Sequence, residues 1–98
     1  MRKSEIFSKV LIAVCNVTEL SESEILSSSR TEEIVDARML LVVFCAQNGL
    51  YPSRIAQYIH KTPRAINYIL SSYHSRLSRN ENQLGYYCAE MRKELGNN

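Results

Sequence analysis

The chain has little of what most specialised proteins are built from. In 98 residues it has no tryptophan, three glycines, two prolines and three cysteines. So few glycines leave no Gly-rich loop to cradle phosphates, and no Walker A pattern occurs. Cys15, Cys45 and Cys88 are odd in number, far apart and set among apolar neighbours with no Cys-x-x-Cys pair. Neither a disulfide framework nor a zinc site is therefore expected, and the thiols read as reduced core residues. His60 and His74 stand fourteen residues apart with no nearby Cys or carboxylate, a poor basis for a metal site. No Ser/His/Asp, Cys/His or paired-carboxylate set stands out, so the sequence predicts neither catalysis nor a cofactor. The longest apolar run, Met39 to Ala46, is eight residues, far short of the roughly 20 that a membrane span needs. Arg2 and Lys3 are followed by no signal-peptide cleavage pattern, so a cytoplasmic protein without membrane contact is expected.

One further absence points to a function. From 51 to 79 the chain has no Asp or Glu, while Arg54, Lys61, Arg64, Arg76 and Arg79 give the stretch a charge of +5. Residues 1–50 carry −2 and residues 80–98 carry −1, so the total of +2 conceals a strongly basic segment. A surface that faces phosphates needs such a stretch, because a carboxylate within it repels the nucleic-acid backbone and cancels a cation.

What is present is helical. At 45% hydrophobic and 22% charged, the chain has the composition of one globular domain, 1–98, with a single core. Ile6, Val10, Leu11 and Val14 recur at helical spacing, and Ser4 is a plausible N-cap, which predicts a helix over about 4–16. Ser21 or Ser23 can start a short helical turn ending near Leu26, and Ser27 to Thr31 reads as a loop with one cation, Arg30. Thr31 or Glu32 then opens a helix with an acidic first turn. It is apolar on all sides over its second half, as a buried central helix would be, and stops at Asn48-Gly49. Val42 and Val43 favour a strand, but no turn signal precedes Asn48.

Pro52 stands where a helix N1 residue would, with Ile55, Ala56 and Ile59 on one short face. Thr62-Pro63 restarts the chain as a cap and first-turn residue, after which Ile66, Ile69, Leu70, Tyr73 and Leu77 repeat on one face. A last helix from about Glu81 to Leu95 carries the stripe Leu84, Tyr87, Cys88, Met91 and Leu95. That stripe must be covered, by the domain itself or by a second copy, with a monomer preferred. The expected fold is all-α, a compact domain of about five to six helices.

Two helices joined by a short turn near 52–78, with Ile55, Ala56, Ile59, Ile66 and Ile69 inward, fit a helix-turn-helix. Small Ala56 lets the second helix cross closely over the first. Where the turn usually has Gly this chain has His60, which tolerates positive φ better than a branched residue does. With Ile66, Ile69 and Tyr73 inward, Arg64, Tyr68, Ser71 and Ser75 fall on the outer face with Asn67 beside them. Arg can fork onto guanine and Asn onto adenine, while Tyr and Ser reach base edges or phosphates.

The run Val17-Thr-Glu-Leu-Ser-Glu-Ser-Glu-Ile-Leu-Ser-Ser-Ser-Arg30-Thr-Glu-Glu-Ile-Val-Asp-Ala-Arg38, followed by an apolar helix and this helix pair, resembles the C-terminal DNA-binding domain of the bacterial replication initiator DnaA. The similarity runs from about Val10 to Leu77. In that family a Leu-Leu-Ser and basic loop leads to a helix opening with Ala-Arg or Pro-Arg, and then to a helix-turn-helix of the Trp-repressor-like class. Ile25-Leu26-Ser27, Arg30 and Ala37-Arg38 stand in the matching places. The resemblance implies double-stranded DNA as partner and a minor-groove role for Arg30. The family's Gly-Gly-Arg-Asp-His-Thr-Thr-Val is here Ile59-His60-Lys61-Thr62-Pro63-Arg64-Ala65-Ile66, so a different target sequence is expected. These 98 residues contain no Walker A loop, so no ATPase activity is expected of them.

These readings assign Arg64, Asn67, Tyr68 and Ser71 to base edges. They assign Lys61, Arg54, Arg30 and Arg76 to phosphate or minor groove, with Thr62 in the same segment. The rival is a protein-interaction module that keeps the fold but binds another protein, in replication or in phage or transcription regulation.

Overall fold

The computed structural model describes residues 2–79 and 81–96. Among the described residues six α-helices follow one another: α1 (Lys3–Thr18), α2 (Glu22–Ile25), α3 (Glu32–Gln47), α4 (Pro52–Ile59), α5 (Pro63–Arg79) and α6 (Tyr86–Glu94). A π-helical segment, Glu81–Gly85, runs into α6, and no strand occurs among the described residues.

Local chemistry sets most of the helix ends. α1 begins earlier than the sequence suggests: the Ile6 N–H donates to the Arg2 carbonyl, which places Ser4 inside the first turn and not at its cap. It also runs on to Thr18, whose buried hydroxyl donates to the Val14 carbonyl. At α2 the cap is Ser21. Its Oγ accepts from the Glu24 N–H while the Glu24 carboxylate accepts from the Ser21 N–H, a reciprocal capping box. The last turn of α3 closes when Leu50 N–H donates to the Cys45 carbonyl, across Gly49 at φ 101°.

α3 is the axis of the molecule. Met39, Leu40, Leu41, Val42, Val43, Phe44 and Cys45 are consecutive and all buried, which is possible only for a helix surrounded by others. α1, α2, α4 and α5 all pack against it, and α6 lies against α1. The stripe expected on the last helix is thus covered within the chain: Leu84, Cys88 and Met91 are buried, Leu95 nearly so, and Tyr87 is half-buried. Phe7 of α1 stacks on Tyr58 of α4 with ring centroids 4.7 Å apart, tying the first helix to the fourth. The Cα radius of gyration is 12.2 Å, close to the ~13 Å of a well-packed 100-residue domain. No described helix is long and apolar enough to cross a membrane.

Candidate functional site

The pair α4 and α5 takes its geometry from four consecutive residues. His60 adopts the left-handed conformation (φ 58°, ψ 46°) and ends α4. Lys61 N–H then donates to the Ala56 carbonyl at 2.9 Å, which closes the turn. Thr62 accepts the Ala65 N–H on its Oγ1 at 3.1 Å, and Pro63 begins α5. Ile55, Ala56, Ile59 and Ile66 are buried between the two helices and α3, while Ile69, Leu70 and Leu77 are half-buried. Arg64, Asn67, Tyr68, Ser71 and Ser75 are exposed, and Tyr68 is 72% so, an unusual degree for an aromatic ring.

The loop between α2 and α3 is built from hydroxyls. Ser27 Oγ donates to the Glu24 carbonyl and accepts from the Ser29 N–H, and Ser29 Oγ accepts from the Thr31 N–H. Each serine thereby satisfies backbone groups that would otherwise face water. Arg38, nearly two turns into α3, clamps this loop from beneath. Its Nε donates to the Ile25 carbonyl, and one Nη donates to the carbonyls of Ser27 and Ser29. Burial and the nearby charge of Arg30 draw the Arg38 guanidinium below its usual pKa.

The loop and α5 face each other across a half-open groove of about 720 Å³. Arg30, Arg38, Lys61, Arg64, Arg76 and Arg79 line it, and among the described residues no Asp or Glu does. Val35, Met39 and Ile69 contribute apolar surface, and Tyr68 lies alongside. Like charges gathered this closely repel one another, and an anion in the groove relieves that repulsion. The N-terminus of α5 opens at the same place and adds the positive end of its dipole.

Beside the groove lies a carboxylate that does not line it. Asp36 is fully buried on α3 and accepts a hydrogen bond from Nε of Arg76, which stays 23% exposed. Burial pushes the Asp36 carboxyl above the usual carboxylate range, the hydrogen bond and charge of Arg76 pull it down, and Glu32 adds to the rise.

Of the nine residues assigned from the sequence, the groove gathers Arg30, Lys61, Thr62, Arg64, Tyr68 and Arg76. Arg54 is exposed on α4, and Asn67 and Ser71 are exposed on α5 outside the groove. Ser71 Oγ donates to the Tyr68 carbonyl, so it caps its own helix backbone. Sequence reasoning missed Arg38, Arg79 and Asp36. Arg79 was within reach, because a turn of about 100° per residue carries the arc of Arg64, Tyr68 and Ser72 on to it. In the sequence Arg38 stands out only within the Ala37-Arg38 pair of the DnaA resemblance, with no role assigned, and Asp36 leaves no signal, because their partners lie in other elements. Among the described residues no group of three His, Cys, Asp or Glu could hold a metal ion. Comparisons with known protein families, with curated proteins and with solved structures find no match to this chain.

Proposed function

We propose that this chain binds double-stranded DNA, with α4 and α5 acting as a helix-turn-helix and α5 lying in the major groove. The observation that carries the reading is a groove with no Asp or Glu among its described lining residues, in which cations from the 27–31 loop and from α5, far apart in sequence, converge on one surface. In this reading Arg64, Asn67, Tyr68 and Ser71 face base edges on the exposed side of α5. Lys61, Arg79 and the α4 residue Arg54 hold phosphates. Arg30, on the loop beside α5, takes in this reading the minor-groove role that the DnaA resemblance implies.

Lys61, Arg79 and Arg54, with the charge of Arg30 added, neutralise about four phosphates and release their counterions, so log K against log salt falls with a slope of roughly −4 at about 0.9 per phosphate. Titration of a random-sequence duplex at two salt concentrations measures it. A flat response, or no binding at low salt, overturns the reading and favours a protein partner for the same surface.

A further inference from the structure

We infer that the groove between the 27–31 loop and α5 is also a nucleotide site, which takes a free nucleoside polyphosphate and excludes duplex DNA while it is filled. Only the exclusion rests on the duplex-binding reading, because the nucleotide is bound without DNA. A duplex leaves part of the groove unused. Val35 and Met39 of α3 and Ala65 and Ile69 of α5 line the same space as the cations, and Val35, Ala65 and Ile69 are only half-buried. Phosphates do not cover apolar surface, and the flat faces of paired bases are stacked inside the duplex, out of its reach. A purely apolar ligand fails in the opposite way, since it leaves the cations facing one another. The ligand that satisfies both carries several charges at one end and a flat ring at the other. Tyr68, exposed and lining the groove, offers a phenol face on which a base can stack, and guanidinium groups stack on aromatic planes as well. Arg30 of the loop, Lys61 of the turn and Arg64 of α5 line the groove from three separate places in the fold, which suits linked phosphates better than a single one. A volume of about 720 Å³ lies within the ~300–1,000 Å³ of small-molecule sites. An acyl chain fits less well, because it needs apolar enclosure along its length and this groove is half-open and ringed by cations. A duplex would have to flip a base out to reach the apolar lining, a cost that a free nucleotide avoids. A bound nucleotide occupies Arg30 and Lys61, which the duplex reading needs for the minor groove and for phosphate.

Titrations of the intact chain in magnesium-free buffer test this, with ATP, adenosine and inorganic tripolyphosphate as probes and amide resonances as the readout. Tripolyphosphate carries the same three linked phosphates as ATP, so charge alone makes the two bind equally. ATP is expected to bind at least about fivefold more tightly than tripolyphosphate, the least that stacking of one base supplies, with adenosine weaker than ATP. The amides of Arg30, Lys61, Arg64 and Tyr68 are expected to shift. Equal affinities for ATP and tripolyphosphate overturn the inference, as do shifts confined to other residues. Tyr68→Ala, a change at an exposed position, should weaken ATP by about fivefold or more and leave tripolyphosphate unchanged, whereas Lys61→Gln should weaken both. If Tyr68→Ala affects neither probe, or both alike, the base is not read and the inference falls. A short single-stranded oligonucleotide that binds more tightly than ATP overturns it in favour of an unpaired strand. ATP added to a complex with random-sequence duplex should release the DNA at lower concentration than tripolyphosphate does. Duplex that stays bound while ATP fills the groove overturns the exclusion. Should no duplex bind at all, the duplex reading fails by itself, and the titrations without DNA still decide the nucleotide site.

Discussion

Two residues show how single positions set the geometry beside the groove. His60 must hold a left-handed backbone so that Lys61 can bond to Ala56 and α5 can start from Thr62. A β-branched residue resists that conformation, so His60→Val is expected to lower stability by about 1–2 kcal/mol. His60→Gly should change it by less than about 1 kcal/mol, because relief of the positive φ offsets the added freedom of the unfolded chain. Urea midpoints of the two variants check this. Removal of the cap by Thr62→Ala should cost about 1 kcal/mol by the same measurement. For Asp36, burial holds the carboxyl above its ordinary range, so the folded chain binds the proton more tightly than the unfolded chain does. The stability linked to this group is then fully present below the ordinary carboxylate range and is lost as pH rises through the higher folded value. Thermal unfolding from pH ~3 to ~7 should show the wild type losing stability relative to Asp36→Asn as pH rises. A wild type that gains stability relative to Asp36→Asn as pH rises would contradict this sign. The sequence gives no sign of the burial: Asp36 sits among Glu32, Glu33 and Arg38 and reads as surface charge. Only the fold, which brings position 76 beside position 36, reveals a paired core carboxylate.

At the scale of elements the sequence was most legible where periodicity governs. The spacing of Ile55, Ala56, Ile59, Ile66 and Tyr73 predicts both helices, their turn and their buried sides, and the structure has them so. The unbroken run Met39–Cys45 likewise predicts a central helix, because it offers no polar side to water. What periodicity cannot give is the placement of the α2–α3 loop beside α5, which depends on one arginine reaching back to three carbonyls. The loop should therefore loosen without Arg38. Arg38→Met is expected to speed amide exchange across 26–31 while the amides of α3 stay protected, and slow exchange retained in the loop would show that the serine hydroxyls suffice. A second expectation concerns α5. In the proposed reading, Thr62, Pro63, Arg64 and Ala65 stand where the DnaA domain that the chain resembles has its base readers, and each bidentate pair not made removes about 1–3 kcal/mol of discrimination. An unbiased selection from random duplexes should therefore not return the initiator box as its best site. If it did, specificity would have to come from residues other than these.

For the molecule as a whole, the central position of α3 concentrates risk. Phe44 is buried at the centre of the one described core cluster. Its replacement by Ala should cost about 3–5 kcal/mol out of the ~5–15 kcal/mol by which a domain of this size is folded. Urea unfolding of Phe44→Ala measures the loss. Since Leu84 and Met91 are covered by the chain itself, sedimentation should give the 11.3 kDa monomer. Polar replacement of both should unfold the chain instead of dissociating a dimer. The same layering grades the three thiols. Cys15 is half-buried on α1, Cys88 is buried against the Tyr73 hydroxyl at 3.1 Å, and Cys45 is fully enclosed in α3, where burial pushes its pKa to about 12. Alkylating reagents attack the thiolate, so an enclosed thiol reacts only when its surroundings open. The chain thus carries three clocks with one chemistry, each started by the loosening of a different helix. Timed alkylation read by mass should mark Cys15 first and Cys45 last, at the pace of global unfolding.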